Sequence, residues 1–199
     1  ALILYGDLDI SIIDSLPPGR QSIDTFAVNS SYRERIYNFA KKEIEKGRQV
    51  YIICAMVEEN EKIEAESVLK YAEGLRDTPL GDRRIAVVHG KMRSEEKDGI
   101  LKDFAAGKTD ILVATTVIEV GINVPNATLM VIENAERFGL AQLHQLRGRV
   151  GRGSEKSYCI LISDNKSEIT RQRLKTMTKT SDGFKISETD LKLRGPGEF

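Results

Sequence analysis

Short runs that are apolar on both faces of a strand constrain this chain more than anything else in it. They fall at 49–55, 84–88, 110–114, 128–132 and 157–162, and apolar residues at helical spacing fill the intervals. A strand that faces water on one side alternates apolar with polar residues. A strand buried on both sides does not, and such burial marks a parallel sheet with crossover helices on each face. The expected fold is α/β, in three layers around a mostly parallel central sheet, with a helical appendage at the C-terminal end.

The intervals supply the helices. Residues 1–28 read as an irregular lead-in broken at Pro17-Pro18-Gly19. Ser30 or Ser31 then caps a helix to about Lys46, with Ile36, Phe39, Ala40 and Ile44 on its buried face. A second helix spans 61–74 with Ile63, Val68 and Leu69 inward, and 75–83, rich in Asp, Gly and Pro, reads as a surface loop. Ser94 caps a helix to Ala106, a short turn lies near 117–120, and another helix lies near 140–148. In the tail, Ile169, Leu174 and Met177 fall at helical spacing, followed by a second amphipathic piece around 187–193.

Composition excludes several classes. With 40% hydrophobic residues there is enough for a core. Cys54 and Cys159 sit in apolar runs and read as small hydrophobes of a reduced compartment. Two histidines, far apart, offer no zinc set, so no metal site is expected. Neither a signal peptide nor an apolar run of membrane length occurs, which points to the cytoplasm. Thirty basic and thirty acidic residues cancel, so the usual electrostatic signature of a nucleic-acid binder is missing. A protein that grips phosphates with loop amides and hydroxyls on one face needs no net charge. Locally, Arg137, Arg147, Arg149, Arg152 and Lys156 form a basic stretch with Glu155 its one late acid.

Three segments carry chemistry. In Gln145-x-x-Gly148-Arg149-x-Gly151-Arg152, two arginines three residues apart stand behind glycines. Guanidinium groups fork onto phosphate oxygens, which suits the charge that develops on a transferring phosphoryl group. The competing reading is a solvated Arg/Gly helix end. Upstream, Thr115-Thr116-x-x-Glu119-x-Gly121-x-Asn123-x-Pro125 and His89-Gly90-Lys91-Met92 each follow an apolar run, where open α/β sheets bind ligands. All three loops are expected to share one surface.

Together these segments resemble motifs IV to VI of superfamily 2 helicases and translocases. Residues 136–152, including Gln142-Leu-His144-Gln145-Leu-Arg147, are similar to two groups within it, RecG branch-migration helicases and the transcription-repair coupling translocase. The stretches 5–20 and 190–199 look more like RecG. The resemblance implies a RecA-like domain that acts with ATP and Mg²⁺ on branched double-stranded DNA. It makes Arg149 and Arg152 arginine fingers reaching the γ-phosphate, with Gln145 touching the nucleotide or orienting the pair. It places Gly121 and Asn123 at the nucleotide; most relatives carry Asp where this chain has Asn123, and an amide still bonds a ribose hydroxyl without charge. It makes Thr115 and Thr116 holders of a DNA phosphate, with His89, Gly90 and Lys91 a second phosphate site. The open alternatives are a strand-ending threonine pair, a hydrogen-bonded strand-end histidine and a solvated Gln145.

No G-x-x-x-x-G-K-[ST] loop and no convincing Asp-Glu box occur in the 199 residues. The chain therefore reads as an excised second motor domain, inactive alone, whose partner is the first RecA-like domain of the same protein. Its expected parts are the connection 1–28, the RecA-like layer 29–165 and a helical extension 166–199. That extension begins the family's coupling segment, with Arg194 and Gly195 leading into its loop. A monomer is expected. The rivals are the transcription-repair coupling translocase and a non-catalytic α/β nucleic-acid-binding module.

Overall fold

A computed structural model describes residues 23–55, 60–115 and 124–180, together with Ile186, Thr189, Lys192 and Leu193. Six strands form one sheet: β1 (Ile23–Val28), β2 (Gln49–Cys54), β3 (Ile85–Val88), β4 (Ile111–Ala114), β5 (Ala127–Glu133) and β6 (Ser157–Ile162). Their order is β1-β6-β5-β2-β4-β3, and every pairing is parallel. Among the described residues, the layers are completed by the helices α1 (Arg33–Glu45), α2 (Glu61–Gly74), α3 (Ser94–Ala105), α4 (Leu140–Arg147) and α5 (Glu168–Lys179). This is the RecA-like α/β arrangement the apolar runs require.

The strand period of two sorts the core into halves. Val50, Ile52, Ile111, Val113, Leu129, Val131 and Ile160 face α1 and α2. Tyr51, Ile53, Leu112, Ala114, Met130, Ile132, Cys159 and Leu161 face α3, α4 and α5. A sheet covered on both sides leaves only its two edges of strand ends for ligands. The amino edge is where parallel strands begin, and the carboxyl edge is where they finish.

Several local expectations are corrected. Residues 23–28, read as the end of an irregular lead-in, are strand β1, registered against β6 from Ile23↔Ser157 to Val28↔Ile162. Asn29, not a serine, caps the turn before α1, accepting from the Ser31 amide at 2.9 Å. In α2 the inward face is Ala65, Val68 and Ala72, while Ile63 and Leu69 are 42% and 47% exposed. Small residues let that helix lie close to the sheet, so its rotation follows packing rather than the largest side chains. The 75–83 loop is anchored by buried Leu75 and Leu80 and braced by Arg76, which donates to the carbonyls of Gly81 and Arg83. Ser94 opens α3 but makes no cap bond; Arg93 holds the cap position. In α5, Leu174 and Met177 are buried as the spacing predicts, whereas Ile169 is exposed and Thr170 and Thr178 are buried instead. The predicted turn near 117–120 lies outside the described residues. No helix of the described residues is long and apolar enough to cross a membrane.

Candidate functional site

The two arginines occupy the amino edge. Helix α4 runs back from the end of β5 and stops at Arg147, so Gly148 to Lys156 form the loop that enters β6. Gly151 sits at φ +78°, a left-handed conformation that a side chain resists. Its amide donates to Ser157 Oγ at 3.0 Å, tying the loop to the first residue of β6. A Cβ on Gly153 would come within 2.5 Å of the Pro125 carbonyl oxygen, so backbone packs on backbone there. This contact brings the arginine loop against the end of the Thr115–Pro125 segment, just before β5. Arg152 is exposed, and its Nε donates to the Gly148 carbonyl at 2.8 Å. Arg149 is half-buried, and Gln145, a turn earlier on α4, is exposed. Both arginine charges act on Tyr51, whose hydroxyl burial pushes up to about 12 against their opposing pull.

The surrounding edge is rigid. Gln49, buried at the start of β2, donates to the carbonyls of Phe104 and Thr109 at 2.6 and 2.8 Å. Asn126 donates to Gly47 O at 2.7 Å and accepts from Arg48 at 3.1 Å. Arg48 pairs with Glu155 and Lys156 with Asp24, each at 3.0 Å.

The carboxyl edge holds the other set. Thr115, fully buried, follows β4 and donates its amide to Val88 O at 3.3 Å. His89 follows β3 and is 8% exposed. Among the described residues, neither Thr115 Oγ1 nor His89 Nδ1 has a hydrogen-bond partner. Buried polar atoms are ordinarily satisfied, and these two exceptions stand at neighbouring strand ends, since Val88 pairs with Ala114. Gly90 is half-buried and Lys91 exposed beside them. Thr116, Gly121, Asn123, Arg194 and Gly195 lie outside the described residues.

The expectation of one shared surface is therefore corrected. His89 and Thr115 stand at strand ends, and Arg149 and Arg152 stand at strand beginnings. Strands of four to seven residues separate the two edges by roughly 13–23 Å at about 3.3 Å per residue. No single phosphate touches both. The basic stretch also divides: Arg137 is exposed beyond the end of β5, Arg147 is buried, and Lys156 is paired.

Two features escaped the sequence reading. Glu133, 3% exposed at the end of β5, accepts from Arg33 Nε and Nη2 at 2.9 and 2.8 Å and from the Tyr71 hydroxyl at 2.9 Å. The bond to Glu133 raises Arg33 above its ordinary value, and burial raises Tyr71. Nothing local marks a glutamate that ends an apolar run as buried. The second is Arg147, on the inner face of α4 with Leu140 and Leu143. Its spacing of seven from Leu140 and four from Leu143 was the available signal.

Comparison with known proteins places the whole chain in a family. The family described as the helicase conserved C-terminal domain matches residues 32–154. Over its whole length the chain is 49% identical to the ATP-dependent DNA helicase RecG of Bacillus subtilis (strain 168), covering 29% of that protein. It is 52% identical to the ATP-dependent DNA helicase RecG of Synechocystis sp., covering 24%. A solved structure of RecG bound to a three-way DNA junction superposes with a TM-score of 0.78 at 46% identity, over 98% of this chain and 25% of that one. The chain thus spans less than a third of the length of these curated relatives.

Proposed function

The chain belongs to the helicase conserved C-terminal domain family and is RecG-like along its whole length, and from that membership we propose that it is the second motor domain of an ATP-dependent translocase that remodels branched double-stranded DNA. The observation that carries this reading is the two-edged sheet. One edge offers guanidinium groups, the other offers buried, unpartnered polar atoms beside an exposed lysine, and the distance between them calls for two different ligands.

At the amino edge, Arg149 and Arg152 face the γ-phosphate of ATP held by the first RecA-like domain. Water attacks the γ-phosphorus, the bond to the bridging β-γ oxygen breaks, and the arginines offset charge on the transferring group and the leaving oxygen. Gln145 orients the pair from the exposed face of α4, and Gly121 and Asn123 contact the nucleotide. The described residues contain no cluster of three or more His, Cys, Asp or Glu fit for a metal. In this reading ATP and Mg²⁺ are held mainly by the first RecA-like domain, and Arg149 and Arg152 are the charges that this chain brings to the phosphate.

At the carboxyl edge, Thr115 and Thr116 hold a DNA phosphate through hydroxyl and amide, with His89, Gly90 and Lys91 at a neighbouring one. The segment before residue 23 is the connection from the first motor domain, and 166–199 begins the coupling segment, with Arg194 and Gly195 at its loop. The protein acts in the cytoplasm as a monomer.

The test uses the full-length protein. Arg152→Ala is expected to lower DNA-stimulated ATP turnover by about 10³–10⁵. Lys91→Ala is expected to raise the DNA concentration needed for stimulation and to reduce the salt slope by about 1, leaving the KM for ATP alone. Wild-type turnover in Arg152→Ala overturns the assignment.

A further inference from the structure

Basic and acidic residues cancel over the whole chain, yet helix α5 departs from that balance. It carries Arg171, Arg173, Lys175 and Lys179 against one acid, Glu168. Arg173 is half-buried, while Arg171, Lys175 and Lys179 are exposed. These three recur every four residues and so form one stripe down the helix, about 12 Å long at roughly 1.5 Å per residue. Glu168 lies 3.9 Å from Arg171 with both side chains solvated, and a surface pair of that kind holds little. Among the described residues, Lys175 and Lys179 belong to no ion pair. The other face of α5, with Leu174 and Met177, is buried in the core. It has no apolar surface left to enter a membrane, so the stripe suits a ligand read by charge.

Topology adds a recess beside the stripe. At the carboxyl edge the chain leaves β1 for α1 on one face of the sheet and leaves its neighbour β6 for α5 on the other. Adjacent strands whose connections part in this way open a crevice, the place where open α/β sheets take ligands. Here there is a cavity of about 650 Å³, lined by Arg171, Gln172 and Lys175 of α5 and by Val28, Tyr32 and Asn165 from the end of β1 and the loops that follow β1 and β6. We propose that Arg171, Lys175 and Lys179, with this crevice, grip the phosphate backbone of duplex DNA as a site separate from Thr115 and Lys91. This rests on the function proposed above. The stripe faces about three or four phosphates of one strand at about 3.4 Å of axis each. Helix α5 packs on β1, which lies at the opposite side of the sheet from β3. Interstrand steps of about 4.8 Å therefore put roughly 24 Å between α5 and the loop of Lys91, or about seven base pairs of duplex.

The experiment measures the affinity of the full-length protein for a labelled forked DNA by fluorescence anisotropy across a salt series. One variant combines Arg171→Gln, Lys175→Gln and Lys179→Gln; a control combines Lys41→Gln, Lys42→Gln and Lys70→Gln, which removes the same charge from α1 and α2. Each phosphate contact adds about 0.9 to the slope of log affinity against log salt, so the α5 variant is expected to lower that slope by about 2–3. Between 50 and 200 mM salt the wild type then loses about 40-fold more affinity than the variant. The control is expected to keep the wild-type slope, and the KM for ATP is expected to stay unchanged in both. An unchanged slope in the α5 variant, with Lys91→Ala still lowering it, overturns the inference, assigns the stripe to a ligand other than DNA and leaves the functional reading standing. An equal fall in the control also overturns it, since bulk charge then explains the effect. Should the triple variant not fold, Lys175→Gln alone, expected to lower the slope by about 0.9, decides by the same criterion. A wild type that neither binds forked DNA nor hydrolyses ATP on it would instead defeat the functional reading on which this one stands.

Discussion

Replacing Gly153 with alanine places a methyl carbon 2.5 Å from the carbonyl oxygen of Pro125 and 3.3 Å from its carbonyl carbon. Ordinary van der Waals contact begins near 3.4 Å, so the loop and Pro125 must separate by about 0.9 Å along the line between them. Both sides are backbone, and neither swings away by changing a rotamer. The loop is further held by Gly151, at φ +78°, and by its bond to Ser157. Overpacking of this kind costs about 1–3 kcal/mol, and in a domain of this size each kcal/mol lowers Tm by about 2–4 °C. The same displacement reaches the neighbouring residue Arg152, and a misplacement of about 1 Å costs about 10²-fold in rate.

The assay pairs thermal unfolding of the 199-residue chain with DNA-stimulated ATPase of the full-length protein. Gly99→Ala supplies the opposite sign. It lies inside α3 with nothing within 4 Å of its would-be Cβ, so alanine is expected to stabilise by about 0.5–1 kcal/mol and leave turnover unchanged. If Gly153→Ala melts and hydrolyses ATP like wild type, the loop yields freely and the reasoning that fixes Arg152 through Pro125 is refuted.

Two further outcomes test the interior. Glu133→Gln replaces a carboxylate bonded to Arg33 and Tyr71 by an amide that turns donors toward donors; urea unfolding is expected to show a loss of about 1–3 kcal/mol, with Tyr71→Phe losing less, and the reverse order would contradict the network. Burial raises the Cys54 and Cys159 thiols from 9.0 to about 12, so the folded state holds their protons more tightly than the unfolded state does. Their contribution to stability is therefore full below pH 9 and is lost as pH rises from 9 towards 12, at up to about 1.4 kcal/mol per pH unit for each thiol. A Cys54→Ala, Cys159→Ala chain whose unfolding free energy falls as steeply with pH in this window would exclude the thiols as the cause.

What the sequence made legible divides along a physical line. The strands β2, β4, β5 and β6 were readable because burial on both faces leaves uninterrupted apolar text, and α1 because Ile36, Phe39, Ala40 and Ile44 repeat at the helical period. Strand β1 escaped because it follows Pro17-Pro18-Gly19 and contains Asp24, a buried acid whose partner Lys156 lies far away in sequence. The face of α2 was misjudged because local hydrophobicity favours Ile63 and Leu69, whereas close approach to the sheet favours Ala65 and Ala72. At the site, residue types and spacing pointed to phosphate chemistry, but no local feature told on which edge each loop would emerge. That depends on chain direction: a loop leaving a strand lies at the carboxyl edge, and a loop returning from a helix lies at the amino edge.

The segment between Thr115 and Pro125 joins these two edges. It leaves β4 where His89 and Thr115 carry unpartnered polar atoms, and it arrives at β5 where Pro125 meets Gly153 beside Arg152. Between its ends, β4 and β5 are both hydrogen-bonded to β2, whose six residues are all buried. A sheet so packed resists shear, so the strands hold the edges at constant separation.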